Sequence, residues 1–270
     1  MADQRVCDTW ERGDPYEHYV GRWSRKVAPR FLAWLNLPHG LRWLDVGCGT
    51  GALAAAILDG CAPSAVYGVE PSDGFLATAG GYLAGRATLL KGSATEIPLG
   101  DHSVDVAVAG LVLNFVADQP AALEEMRRVT APGGTLAAYV WDYAGRMELM
   151  RHFWDTAVAL DPDAAGLDEG VRFPLCRPAA LEKLFLGAGL QRVAVSGIEI
   201  ATPFASFDDY WRPFLGAQGP APAYAMSLGE AGRTRLRERL REQLPQRPDG
   251  SIELVARAWA VRGTVAAAAP

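Results

Sequence analysis

Cysteine is scarce and carries no pattern: Cys7, Cys48, Cys61 and Cys176 are scattered through 270 residues without a C-x-x-C pair. That excludes a disulfide framework or a thiolate zinc site and leads us to expect reduced thiols in a cytoplasmic compartment. The four histidines (His18, His39, His102, His152) stand far apart, so no metal site is expected. No apolar run reaches the ~18 residues of a membrane span, and the N-terminal Met-Ala-Asp-Gln-Arg-Val lacks the apolar stretch of a secretory leader. An excess of positive charge is missing too. Lys and Arg number 26 against 31 Asp and Glu, a net charge of −5, so the global field does not favour a nucleic-acid backbone. What is present is a chain 50% apolar with 29 glycines and 18 prolines. Such a chain has ample core for one large α/β domain, alone or with a cap.

The richest segment is Leu41-Arg-Trp-Leu-Asp-Val-Gly-Cys-Gly-Thr-Gly51, followed by the helix former Ala-Leu-Ala-Ala-Ala-Ile-Leu. A strand ending in an acid, three alternating glycines and a helix start would bring bare backbone N–H groups and a positive dipole end to a ligand. Strands are expected at 41–46, 65–70, 87–92, 104–111 and 135–140, with helices at 51–59, from Pro71-Ser72-Asp73, and at 119–130. Residues 14–36 space Tyr16, Tyr19, Trp23, Val27, Phe31 and Trp34 as one or two helices. Past 141 the rhythm changes. Helices are expected at 145–160 and 178–187 with an Asp/Gly/Pro loop at 161–178 between them. A strand follows at 193–201, then a Pro/Gly/aromatic stretch at 204–224. An Arg-rich helix at 230–244 and a strand at 252–261 complete the chain. The alternation predicts a doubly wound, Rossmann-like sheet of seven mostly parallel strands with an antiparallel last strand, plus a helical lid and insert. The expected division is a lid at 1–34, a core at 35–203 with 250–263, and a cap insert at 204–249.

The glycine loop alone supports two cofactors. Gly47, Gly49 and Ala52 satisfy a loose dinucleotide fingerprint, and Glu70 lies where a ribose ligand of NAD would. Three further features point elsewhere: Asp45 immediately before Val46-Gly47; Ser-Ala-Thr-Glu-Ile-Pro-Leu-Gly-Asp-His-Ser-Val-Asp ahead of strand 4; and Arg-Arg-Val-Thr-Ala-Pro-Gly-Gly-Thr-Leu leading into strand 5. On these residues, over about 14–142, the chain resembles the class I S-adenosylmethionine-dependent methyltransferases, in the broad group that includes quinone-biosynthesis enzymes.

The resemblance implies S-adenosylmethionine as cofactor and a site built as follows. Gly47, Cys48 and Gly49 lie against its methionine part, with Asp45 near the ammonium. Glu70 takes the ribose hydroxyls, and Pro71 lies beside the adenine. Where the group commonly has an adenine-binding acid this chain has Ser93, so a contact from Ser93, Ala94 or Thr95 replaces it. Ala109, Gly110 and Leu111 face the sulfonium, and Tyr19, Arg22 and Trp23 form a lid. The acceptor would meet Asn114, Trp141, Tyr143, Tyr210, Trp211 and Phe214, an aromatic wall suited to a small, flat or apolar metabolite. In-line transfer from a sulfonium needs positioning and no covalent protein intermediate. Candidate bases are His18, Asp142, Tyr143 and His152. An NAD-dependent oxidoreductase, or a non-catalytic S-adenosylmethionine-binding protein, remains the alternative.

Overall fold

The computed structural model describes residues 21–216 and 219–267; the expectations for Tyr16, His18 and Tyr19 lie outside them. The described residues open on α1 (Arg22–Leu35), then β1 (Arg42–Val46), α2 (Ala52–Gly60), β2 (Ala65–Glu70), α3 (Asp73–Leu83) and β3 (Thr88–Lys91). β4 (Val104–Gly110), α4 (Gln119–Val129) and β5 (Thr130–Trp141) follow. β4 is apolar along nearly its whole length because parallel neighbours cover both its edges and helices cover its faces. The remaining elements are α5 (Glu148–Leu160), α6 (Glu169–Arg172), α7 (Pro178–Gly187), β6 (Gln191–Phe204), α8 (Phe207–Trp211), α9 (Pro220–Ser227), α10 (Glu230–Gln243) and β7 (Ile252–Thr264).

The seven strands lie in the order β3-β2-β1-β4-β5-β7-β6. β1 to β5 pair in parallel. β7 runs antiparallel to β5, from Thr135↔Thr264 to Trp141↔Ala258. This is the expected doubly wound sheet with its reversed strand, and the order switches direction between β1 and β4. The carboxyl ends of those two strands flank a crevice of the kind where open α/β sheets bind ligands.

Helix ends follow their sequence signals. Ser72 accepts the Phe75 N–H at 3.4 Å and starts α3; Asp118 accepts the Ala121 N–H at 3.0 Å and starts α4. Arg128, in the last turn of α4, reaches Glu125 (2.6 Å), Asp101 (2.9 Å) and the carbonyls of Ile97 (3.0 Å) and Leu99 (2.8 Å). That single guanidinium fastens the loop that enters β4.

The fold comprises two compact units. Trp23–Trp141, Leu175–Ile198 and the C-terminal part of β7 form the sheet unit. Asp142–Pro174 and Glu199–Arg257, with Arg22, form a helical unit. Residues 142–174 therefore group with the insert, whereas the sequence reading had placed them in a core at 35–203. Aromatic packing explains the grouping. Phe153 of α5 stacks on Phe214 at 4.5 Å, Trp154 lies 5.6 Å from Tyr224, and the Tyr210 hydroxyl donates to the Leu149 carbonyl at 3.0 Å.

The expected loop and the Pro/Gly/aromatic stretch are both partly helical. Residues 161–178 contain a 3-10 turn, Pro162–Leu167, and α6; residues 204–224 contain α8, a 3-10 turn Arg212–Leu215 and the start of α9. Their Asp, Ser and Pro residues act as helix starts. Asp161, Asp168 and Ser206 cap with their side chains, and Pro162, Pro213 and Pro220 sit in first turns. The Arg-rich α10 buries Leu236 and Leu240, while Arg237 pairs with Asp208 at 3.1 Å, an ion-paired surface helix as its pattern predicted.

Candidate functional site

Asp45, the penultimate residue of β1, is almost fully buried, 1% exposed. The backbone N–H of Ala54 in α2 favours its ionised form, and Oδ2 is buried with no partner. Burial pushes the acid up to about 7, and the nearby Glu70 charge adds to the shift. The chain then turns through Gly47 (φ 68°), Gly49 (φ 52°) and Gly51 (φ 89°), all left-handed. Gly47 is required twice over, since a Cβ there would also lie 2.5 Å from Val112 Cγ2.

Glu70 ends β2, 6% exposed. Its Oε2 accepts the Gly49 N–H at 3.1 Å and its Oε1 the Ser72 N–H at 3.0 Å. Glu70 thereby ties the glycine loop to the start of α3, and burial raises its pKa. Cys48 lies buried between the two acids, its thiol pushed far up by desolvation and by their charges, and so it is inert as a nucleophile.

One expectation is corrected here. The loop was expected to offer bare N–H groups. Instead Gly47 and Cys48 donate to the Val69 carbonyl (2.8 and 3.0 Å) and Gly49 donates to Glu70. What the site leaves unsatisfied is acceptor capacity on carboxylates: it calls for a cation or hydroxyls, not an anion.

Beyond β4 the chain turns sharply at Leu111, a non-glycine residue at φ 62° whose N–H reaches the Tyr139 carbonyl at 2.8 Å. Such backbone strain costs about 1 kcal/mol or more and collects at ligand sites. Val112 covers Gly47, and the 3-10 turn Leu113–Phe115 follows. Asn114 in that turn is 8% exposed with Nδ2 buried and unpartnered; its neighbour Phe115 is 40% exposed. Gly110 has no room for a side chain, because a Cβ would lie 2.7 Å from the Tyr139 hydroxyl. Ala109 is fully buried. Residues 93–95 form a small turn, with the Ser93 and Thr95 hydroxyls 3.1 Å apart, Ala94 between them, and Gly92 N–H on the Glu70 carbonyl at 3.3 Å. Pro71 follows Glu70 directly, exposed.

The structure therefore brings Asp45, Gly47, Cys48, Gly49, Glu70 and the end of β4 together in the sheet unit. Val112 and Tyr139 join them unannounced. The only signal for either was the small residue each one faces, Gly47 and Gly110.

Other residues named from sequence are engaged elsewhere. Arg22 pairs with Asp209 at 3.1 Å and lies 4.8 Å over the Phe204 ring; Trp23 is 2% exposed in the sheet-unit core. Tyr210 and Phe214 are fully buried and Trp211 is 5% exposed, so they form the helical unit's interior and not an open aromatic wall. Trp141 is likewise buried, and Tyr143 is buried with its ring 5.6 Å from Phe173.

Asp142 is held by Arg257 (2.6 and 2.9 Å) and by the Arg146 N–H (2.8 Å), which makes it a fastening in place of a free base. His152 is half-buried on α5 near Glu148 and Asp155, its pKa lowered by burial. Among the described residues no cluster of His, Cys, Asp and Glu could hold a metal, and no helix is long and apolar enough to cross a membrane.

A sequence family described as "Methyltransferase domain" matches residues 44–138, the stretch that carries the site residues from Asp45 to Asn114. The chain is 35% identical over 118 residues to a demethylmenaquinone methyltransferase of Geobacillus kaustophilus, covering 42% of this chain and 49% of that one. It is 34% identical over 133 residues to a malonyl-[acyl-carrier protein] O-methyltransferase of Serratia marcescens, covering 49% and 51%. The chain thus spans about half the length of these curated relatives. Among solved structures, phosphoethanolamine N-methyltransferase 2 of Haemonchus contortus, in complex with phosphomonomethylethanolamine and S-adenosylhomocysteine, superposes with a TM-score of 0.54 at 15% identity. The match covers 94% of this chain and 56% of that one and shows the shared fold.

Proposed function

We propose that this chain, whose residues 44–138 match a methyltransferase domain, binds S-adenosylmethionine as a class I methyltransferase and methylates a small, aromatic or apolar metabolite by direct in-line transfer. The observation that carries this reading is the pair of buried carboxyls, Asp45 and Glu70, on which no Arg or Lys among the described residues acts, with Oδ2 of Asp45 unpartnered. Buried acids without a counterion are costly unless a ligand supplies positive charge or donors. S-adenosylmethionine supplies both: a sulfonium and an ammonium toward Asp45, and two ribose hydroxyls toward Glu70. A dinucleotide would instead bring a pyrophosphate to the start of α2, against the Asp45 charge, which argues against the oxidoreductase alternative.

In this reading Gly47 and Gly49 allow close backbone approach, and Ser93, Ala94 or Thr95 meets the adenine. The end of β4, Ala109 to Leu111, faces the methyl group. When bound, the cofactor supplies an electrophilic carbon on a neutral leaving group. The chain's own task is to hold an acceptor in line and keep water out.

The substrate class is drawn from the quinone acceptor named for one relative and from the exposed ring of Phe115. The test is a thermal-shift comparison of S-adenosylhomocysteine with NAD, then turnover of S-adenosylmethionine against a panel of small acceptors. Stabilisation by NAD alone would overturn the cofactor assignment. Binding without turnover across phenolic, enolic and carboxylate acceptors would favour the non-catalytic alternative.

A further inference from the structure

We propose that the segment 168–173, with α6 at its centre, is a pH-sensitive latch. It stays seated on α5 and on the turn after β5 while the Glu169 carboxyl holds its proton, and it opens as that proton is lost. Every part of it lies in the helical unit, so it stands or falls apart from the methyltransferase reading.

Three contacts seat the segment without Glu169. Asp168 pairs with Arg151 of α5 at 2.6 and 3.2 Å and accepts the Gly170 N–H at 2.7 Å. Gly170 lies close against Arg151 and the turn, since a Cβ there would come 2.7 Å from Arg151 Nη1 and 3.1 Å from the Tyr143 carbonyl oxygen. The Phe173 ring lies 5.6 Å from that of Tyr143. The segment thus covers the Tyr143 backbone, yet Val171 within it is 64% exposed, so the cover is thin.

Glu169 is the weak member. It is 2% exposed, and the Trp154 indole N–H and its own backbone N–H are the donors that meet its carboxylate. The cations nearby are committed. Arg151 serves Asp168, Asp155 (3.5 Å) and the Tyr143 carbonyl (3.1 Å), and Arg172 lies over the Phe173 ring. Arg172 favours the ionised form while Asp168 opposes it. On the elements around it, Glu148 and Asp155 act on His152 along α5, and beyond Trp154 the Asp161 carboxylate accepts the Tyr224 hydroxyl of α9 at 3.2 Å. An ionised Glu169 therefore has two N–H donors against burial and a like-charged neighbour. Burial accordingly pushes it up to about 7, against the 4.5 of the ordinary carboxyl it becomes once the segment opens. A raised value in the seated form means that seating is strongest below the ordinary value. It weakens about tenfold per pH unit as pH rises towards 7, and levels off above.

The experiment is hydrogen exchange of the full chain between pH 5 and pH 8, read by mass spectrometry and corrected for the intrinsic pH dependence of amide exchange. The Val171, Arg172 and Phe173 N–H groups report on the latch, since they donate to the Asp168 and Glu169 carbonyls. Their protection is expected to fall about fiftyfold from pH 5 to pH 7.5 and then to level off. Glu169→Gln keeps the shape, and its amide oxygen accepts the indole N–H without titrating, so protection should stay constant. Asp45→Asn removes a titration of the sheet unit in the same window and should leave the fall at α6 unchanged.

Wild-type protection that does not move with pH, or a fall that persists in Glu169→Gln, overturns the proposal. So does a fall that β1 and β4 share equally in Asp45→Asn, which would be a loosening of the whole fold. The wild-type profile decides by itself should Glu169→Gln fail to fold.

Discussion

On the proposed reading Asp45 makes cofactor binding a proton-linked event, and the sign follows from its surroundings. Burial lifts the acid from 3.8 to about 7, so the ligand-free folded state holds a proton that the unfolded chain has released. Between those two values the folded state binds more protons than the unfolded one, so stability falls as pH rises through the window. About three pKa units at 1.36 kcal/mol each set an upper limit of about 4 kcal/mol lost between pH 4 and pH 8, and relaxation around the site reduces that to roughly 2–4. Glu70, also raised, adds in the same direction.

A cationic ligand reverses the preference, because it favours the ionised acid. With a midpoint near 7, the ionised fraction climbs from about a tenth at pH 6 to about three quarters at pH 7.5, so S-adenosylmethionine affinity should rise about eightfold over that span. Calorimetric titration at four pH values reads this directly. Asp45→Asn keeps the shape and removes the titration. It should flatten the pH dependence, weaken binding at pH 7.5, and make the ligand-free protein more stable than wild type at pH 8 in urea melts. A wild-type dissociation constant that does not move between pH 6 and 7.5, or an unaltered slope in Asp45→Asn, would refute the argument.

Three further expectations concern single contacts. Glu70→Ala should weaken S-adenosylmethionine by roughly 1.5–3 kcal/mol in the same titration, since on the proposed reading it removes charge-assisted bonds to two ribose hydroxyls. It should also lower the melting temperature, because the Gly49 and Ser72 N–H groups lose their acceptor. Gly47→Ala places a Cβ 2.5 Å from Val112 Cγ2 at φ 68°, which should destabilise by about 1–3 kcal/mol; adding Val112→Ala should recover the steric part and leave the backbone part. Arg257→Ala leaves the Asp142 carboxylate buried without its partner and should cost about 3 kcal/mol in denaturant melts, with Arg257→Lys recovering only part, because the paired Nε and Nη2 contacts need a guanidinium.

The sheet was legible because its strands are fully buried and its turns carry glycine, proline and cap signals. β2 falls on the expected residues, and β1, β4 and α4 shift by a residue at most. The acids of the site were legible for the same reason: a carboxylate ending an apolar strand is conspicuous. Less was legible where one residue type serves two purposes. Pro162, Pro213 and Pro220 mark loops and helix starts alike, and the side chains that decide between these roles are contacts, not letters. Aromatic residues are equally ambiguous. Tyr210, Trp211 and Phe214 have the composition of a binding wall, and only the stacking of Phe214 on Phe153 shows them to be core. Leu111 has no glycine to announce its left-handed turn, and Val112 and Tyr139 are ordinary strand and loop residues in sequence.

The hydrogen bonds within the glycine loop also change what that loop is for. A strand–glycine–helix turn is usually read as a set of donors waiting for an anion, yet here the Gly47, Cys48 and Gly49 N–H groups already have acceptors, one of them the Glu70 side chain. The same turn therefore presents an acidic surface at the positive end of a helix. The α2 dipole makes it less costly to keep Asp45 and Glu70 buried and close together, and the pair in turn makes an anionic phosphate an unfavourable guest. Ligand charge, not loop shape, separates a sulfonium cofactor from a dinucleotide on this backbone. In sequence, that difference reduces to one acid two residues before the first glycine.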